Sequence, residues 1–280
     1  MTAEGRSDTV SAWLAAARYE VIPLAGAEEQ ILAVVGKDVK VTVTASPRKG
    51  LEATLDLAER LAGHGYRVVP HISARLVASH AHLDEVARRV LGAGIAEIFV
   101  VAGDASEPSG HFPGALDLLI ALDERGYTFD DIGIAGYPES HPLIDDDITI
   151  QSMWDKRRFA TYIVSNICFD PKVIARWVKR VRRRGVELPI YIGLPSITDT
   201  TKLLRVSQKI GVGDSARFLR RSKGRLLRLV VPGGYDPTRL LGRVARALGD
   251  GDHNVPGVHI YTFNDIEQTE RWRTQLLAAR

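Results

Sequence analysis

The chain has 280 residues, 45% of them hydrophobic and 25% charged, with a formal net charge of +3. That composition belongs to a globular protein able to bury a core, and it excludes a disordered or collagen-like chain. A lone cysteine, Cys168, excludes an intramolecular disulfide and a cysteine-rich zinc site, and fits a reducing compartment.

No apolar run approaches the roughly 18 residues of a membrane span. Residues 1–11 lack the basic flank and apolar core of a signal peptide. The expectation is a cytoplasmic protein with neither membrane nor nucleic-acid partners. Much of the positive excess sits in Lys179-Arg180-Val181-Arg182-Arg183-Arg184. Such a run reads as the solvated end of a helix, where cations complement the dipole. A pocket for anionic ligands explains the mild basicity equally well.

Along the chain one unit repeats: a short, β-branched apolar run followed by an amphipathic helical stretch. Strands are expected at 19–23, 39–44, 67–72, 96–101, 132–137, 161–166, 188–193 and 258–262, each bounded by Gly, Pro or Asp as buried parallel strands are. Helices are expected at 51–62, 82–91, 171–184, 197–210 and 236–248. The strongest start signal is Asp170 at the N-cap with Pro171 in the first turn. Asp145-Asp146-Asp147 reads as a solvated helix start and not as a metal cluster, because adjacent carboxylates seldom converge on one ion. Eight strands alternating with helices predict one parallel sheet. Closure into a single-domain (β/α)8 TIM barrel is the simplest arrangement, with an N-terminal extension over about 1–17 and a lid over 211–228. An open doubly wound sheet is the competitor, but Leu24-Ala25-Gly26-Ala27 after the first strand lacks the glycines of a dinucleotide fingerprint.

In such a barrel the site gathers at the C-terminal ends of the strands. Strand one carries Glu20 in an apolar frame, where desolvation raises a carboxylate's pKa and makes it a proton donor. A salt-bridged structural glutamate is the plainer reading of the same position. Strand two ends at Thr44 and strand three at His71. Strand four ends in Gly103, which allows a ligand close to the backbone, and Asp104, which is either a mouth carboxylate or a helix N-cap. After strand five, a loop stiffened by two prolines presents Tyr137, Glu139 and His141. No metal site, nucleophile elbow or Walker loop is found.

Taken together, these strings resemble the methylenetetrahydrofolate reductase family. Tyr19-Glu20-Val21-Ile22-Pro23 is similar to its Phe-Glu-Phe-Phe-Pro first strand, and Val69-Pro70-His71-Ile72 to its third-strand histidine motif. Gly103-Asp104 falls at its Arg-Gly-Asp. Ala135-Gly136-Tyr137-Pro138-Glu139-Ser140-His141-Pro142 resembles its Ala-x-Tyr-Pro-Glu-x-His-Pro, the most specific match. Ile192-Gly193-Leu194-Pro195 and His259-Ile260-Tyr261-Thr262-Phe263-Asn264 are similar to its last two strand ends. The resemblance implies reduction of 5,10-methylenetetrahydrofolate to 5-methyltetrahydrofolate, with Glu20 as proton donor and Asp104 beside the pterin. It also implies His71, Tyr137 and His141 at positions that line the flavin in the usual enzymes, and Asn166 where the family has a glutamine touching folate and nicotinamide.

Two departures bear on the cofactor. Ala102 stands where the family has a flavin-holding arginine. Residues 147–157 align poorly with the family's flavin-contacting segment, and Trp154 is bulky enough to fill adenosine space. The resulting expectation is direct hydride transfer from NADH or NADPH, with the same reaction through bound FAD as the alternative. Reduction of another pterin or a deazaflavin-linked substrate is a second alternative. A non-catalytic folate-binding barrel is the alternative of another class, and retention of both Glu20 and Asp104 argues against it.

Overall fold

The computed structural model describes residues 3–45, 49–139, 146–197, 230–231, 234–235, 237–249 and 253–279. Its strands are β1 (Arg18–Val21), β2 (Lys40–Val43), β3 (Val68–Ser73), β4 (Glu97–Val101), β5 (Asp131–Gly136), β6 (Tyr162–Ser165), β7 (Ile190–Pro195), β8 (Val230–Val231), β9 (Gly234–Tyr235) and β10 (Gly257–Tyr261). The helices are α1 (Ala3–Ala15), α2 (Ala27–Val34), α3 (Glu52–Gly63), α4 (His80–Gly92), α5 (Ala115–Glu124), α6 (Asp146–Lys156), α7 (Pro171–Arg183), α8 (Thr238–Leu248) and α9 (Ile266–Ala278).

Eight strands close into a parallel barrel in the order β1-β10-β7-β6-β5-β4-β3-β2, so the chain is a (β/α)8 barrel and the open-sheet alternative falls. The expected strands match to within two residues at each end. The two-stranded antiparallel piece β8–β9 was not anticipated. The N-terminal extension is helix α1. The expected lid over 211–228, most of the helix expected over 197–210, and His141 lie outside the described residues.

The chain falls into two compact units, one of residues 18–135 and 155–163, the other of 1–17, 136–154 and 164–280. In the first, β1 to β5 pair in register, with Glu20 opposite Thr42, Thr42 opposite Val69, and His71 opposite Phe99. Side chains alternate along a strand, so Arg18 and Glu20 share a face, as do Glu97 and Phe99. The lower layer of that face is ionic. Arg18 donates to Glu97 at 2.6 Å, Lys40 also bonds Glu97, and the Arg18 guanidinium lies 4.0 Å over the Tyr162 ring. Burial pushes the Tyr162 phenol well above its ordinary pKa, so it stays neutral beside the charged pair.

In the second unit, Asp170 caps α7 by accepting from the Lys172 and Val173 amides, as the Asp-Pro signal implies. Ile174, Trp177, Val178 and Val181 form its buried stripe. Helix α1 packs on β10, α8 and α9, and the Trp13 indole donates to the Val255 carbonyl at 2.8 Å.

Removing one partner of a buried ion pair leaves an uncompensated charge, at a cost of about 3–5 kcal/mol. Arg18→Met should therefore lower unfolding stability by about 3–5 kcal/mol in urea titrations. A loss under 1 kcal/mol would show that the ionic layer is not a structural element.

Candidate active site

One layer above Arg18 and Glu97, β1 and β3 bring Glu20 and His71 together, with His71 Nε2 3.8 Å from the Glu20 carboxylate. His71 is buried at 5% exposure, and its ring stands 4.6 Å from that of Phe99, tilted by 36°. Beyond it, the Phe99 ring lies 6.3 Å from the Tyr162 ring. Glu20 keeps 16% of its side-chain surface. Even so, enough protein surrounds it that desolvation raises its pKa above the ordinary 4.5, outweighing the opposite pull of a protonated His71. The two glutamates of this face thus have different surroundings: Glu97 is held by two cations, and Glu20 lies beside His71.

The other expected site residues take up separate positions. Thr44 follows β2, its amide donating to the Val21 carbonyl at 2.9 Å. Gly103 follows β4 with φ of +93°, and a Cβ there would lie 1.8 Å from Ser73 Oγ, so glycine is required twice over. Asp104 is exposed. It does not cap α5, whose N-cap is Gly114; the N-cap reading of Asp104 is therefore excluded. In the other unit, Tyr137 directly follows β5 and is partly exposed. Asn166 follows β6, and its side-chain oxygen accepts from the Ile167 amide at 2.8 Å. Glu139 accepts a hydrogen bond from the Cys168 thiol at 3.1 Å. Burial, with that carboxylate adding, drives the thiol pKa up, so Cys168 is no nucleophile.

Trp154 is the bulky residue that the sequence reading set against the adenosine of a flavin. It sits near the C-terminal end of α6, packed against Gly185, where an added Cβ would come within 3.0 Å of its ring. That turn precedes β7 and lies at the N-terminal end of that strand. Lys156, the last residue of α6, is buried, and desolvation pushes its pKa down to about 8 against the opposing charge of Asp155.

Three contributors escaped the sequence reading. Phe99 walls His71. Ser73 lies under Gly103, two residues beyond His71 and on the same face, so the period of two already contained it. Arg75 had no local signal. Its Nε donates to the Pro113 carbonyl at 3.0 Å and a terminal nitrogen to the Ala105 carbonyl at 2.8 Å. Its own amide and carbonyl bond Ala102 and Ser109. One arginine thereby pins the loop that carries Gly103 and Asp104. Gly110 of that loop runs so close to the next segment that a Cβ would lie 2.1 Å from the Ala78 carbonyl.

The closed parallel barrel that sets this carboxyl group beside a histidine is a (β/α)8 barrel. The chain belongs to the methylenetetrahydrofolate reductase family, whose profile, described as "Methylenetetrahydrofolate reductase", matches residues 24–220. It is 25% identical over 198 residues to the Saccharomyces cerevisiae protein named "Methylenetetrahydrofolate reductase 2", covering 65% of this chain and 32% of the yeast one. It is also 25% identical over 143 residues to "Methylenetetrahydrofolate reductase (NADH) 1" of Arabidopsis thaliana, covering 45% of this chain and 24% of the plant protein. The chain thus spans a third or less of the length of these relatives. Among solved structures, a GH18 chitinase from Pseudoalteromonas aurantia superposes with a TM-score of 0.54 at 10% identity, covering 93% of this chain and 99% of that one; the likeness is of fold alone. No helix among the described residues is long and apolar enough to cross a membrane.

Two outcomes follow from this geometry. A carboxyl group with a raised folded-state pKa contributes stability below its unfolded pKa and loses it as pH rises through the folded value. Glu20→Gln should therefore be more stable than the parent at pH 8, with the difference vanishing near pH 4 in thermal melts; a variant less stable at pH 8 would show that Glu20 is held as a stabilised anion. A hydrogen bond from a charged donor contributes about 1.5–3 kcal/mol. Arg75→Met should accordingly speed amide exchange at Ser109 by roughly tenfold or more, and unchanged exchange would remove Arg75 as the clamp.

Proposed function

We propose that the chain reduces 5,10-methylenetetrahydrofolate to 5-methyltetrahydrofolate, taking hydride directly from NADH or NADPH, with Glu20 as the proton donor. The observation that carries this reading is the raised pKa of Glu20 next to His71, inside a barrel of this family. Hydride transfer needs an electron-poor carbon. A proton from Glu20 to the bridged folate opens its five-membered ring to an iminium ion, and the hydride then adds to the iminium carbon as the nicotinamide is oxidised. A carboxylic acid that remains protonated nearer neutral pH suits this step. His71 is the group best disposed to return a proton to Glu20 between turnovers. Asp104, the acidic residue on the exposed loop after β4, favours the cationic intermediate electrostatically. Thr44, Gly103, Tyr137, Asn166 and His141 are proposed as contacts to folate or nicotinamide.

Flavin fits this chain poorly. A methyl group, Ala102, stands where the resemblance calls for arginine, and the cation in contact with that loop, Arg75, is already engaged by the Ala105 and Pro113 carbonyls. A charge-assisted contact to a pyrophosphate contributes about 1.5–3 kcal/mol, and this one is missing. The placement of Trp154 gives the flavin-free reading no added support, so it rests on Ala102 and Arg75.

Glu20→Gln should lower kcat by about 10²–10⁴ while leaving folate affinity within a few-fold. In the parent enzyme kcat should fall as pH rises through the raised pKa of Glu20, because the protonated form is the active one. Initial rates against both substrates should give intersecting lines with a colourless protein. Near-normal turnover of Glu20→Gln would remove the proton-donor role, and parallel lines from a yellow protein would replace direct transfer with a flavin-mediated one.

A further inference from the structure

Strand β4 turns two residues inward with opposite characters. Glu97 holds Arg18 and Lys40. Phe99, two residues on, shares the face of Glu97 and follows it as Glu20 follows Arg18 on β1. Register sets His71, Phe99 and Gly133 directly opposite one another, in one row across β3, β4 and β5.

That row is built around the Phe99 ring. The ring is buried, 4.6 Å from the His71 ring and 6.3 Å from that of Tyr162, within the range of favourable aromatic pairing. The Tyr162 ring in turn carries the Arg18 guanidinium. Gly133 gives up its side chain to this arrangement. A Cβ there would lie 2.3 Å from the Tyr162 ring and 2.5 Å from the Phe99 ring. Its φ is not in the left-handed region, so the backbone does not call for glycine and the rings do.

The charged groups around Glu20 in this unit are all accounted for by strand. His71 comes from β3, with Arg67 further down that strand and exposed. Arg18 lies on β1 itself and Lys40 on β2, both on Glu97 of β4. Asp131 of β5 accepts from the Thr161 hydroxyl, and the Tyr162 phenol of β6 stays neutral. In the other unit, β10, next to β1 in the barrel order, carries His259 and Tyr261. Emptying the space of the Phe99 ring would leave a cavity bordered by Glu97 and His71. A cavity with polar walls takes up water, and water stabilises a carboxylate anion.

We propose that Phe99 is a positioning residue for proton donation: seated in the gap left by Gly133, its ring fixes the His71 imidazole beside Glu20 and walls that pair off from the ionic layer. The proposal rests on the reading of Glu20 as proton donor. Phe99 touches neither reacting group of the substrates in this role; it acts through the surroundings of Glu20 and His71.

The test is a graded series in the full chain, Phe99→Leu, Phe99→Val and Phe99→Ala, which removes the ring and then progressively more bulk. Each variant is followed by ¹³C titration of the Glu20 carboxyl, assigned by its loss in Glu20→Gln, and by the pH profile of kcat with methylenetetrahydrofolate and NADH. The Glu20 midpoint should fall in that order, by about one pH unit in Phe99→Ala. The alkaline limb of kcat should move down by the same amount, while KM for the folate stays within a few-fold. Phe99→Leu, which keeps most of the apolar bulk, should stay nearest the parent. Phe99→Val carries the same test if the alanine variant fails to fold. A raised parent midpoint that neither Phe99→Val nor Phe99→Ala moves, with only a lower melting temperature, would overturn the proposal by showing that the ring merely fills the core. A parent midpoint in the ordinary carboxylate range would instead strike the reading of Glu20, and the proposal with it.

Discussion

Two carboxylates on one inward face, one layer apart and differently partnered, are the constraint on which the rest of the structure depends. Glu97 is neutralised by Arg18 and Lys40. Those contacts tie β1, β2 and β4 together beneath the candidate site. Glu20 shares the face of Arg18 on β1, one layer above that ionic cluster. Its neighbour is a histidine at 3.8 Å, itself packed on Phe99. Desolvation then outweighs Coulombic attraction, and the pKa moves up. The same residue type can serve as a structural anion in one layer and a proton carrier in the next because the surroundings differ.

The second constraint is the loop after β4. Gly103 adopts a backbone angle and a clearance that only glycine tolerates, because Ser73 Oγ occupies the space a side chain would need. Arg75 then holds the loop by its carbonyls. Strand three therefore supplies His71 on its inward face, Ser73 as a floor and, one step on, the arginine that orders the neighbouring loop. A chain without a cation at residue 102 can still order this loop, but with a guanidinium turned to its own backbone.

Much of the barrel was legible because buried parallel strands leave short β-branched runs bounded by turn residues, and all eight fell within two residues of their observed ends. The N-cap of α7 was legible because Asp170-Pro171 acts locally. Glu20 and His71 were legible individually as polar residues in apolar strands. Their contact was not, because it depends on register between β1, β2 and β3, which no single strand encodes. The ionic layer was missed for the same reason: Arg18 and Glu97 are distant in sequence and meet only when the strands pair. The bulk of Trp154 is evident in the sequence, whereas its packing against Gly185 at the end of α6 is not. The basic run 179–184 was read as a solvated helix end. That suits Arg183 and Arg184, which are exposed, whereas Arg182 is held by the carbonyls of Val186, His253 and Asn254, which no local pattern announces.

The most direct measurement of the central claim is a ¹³C NMR titration of the Glu20 side-chain carboxyl in selectively labelled protein, assigned by difference from a variant lacking that carboxyl. The account predicts that the Glu20 resonance titrates clearly above the ordinary carboxylate range of about 4.3. A midpoint at or below that value would mean that His71 and its surroundings stabilise the anion, and residue 20 could not be the proton carrier of this barrel.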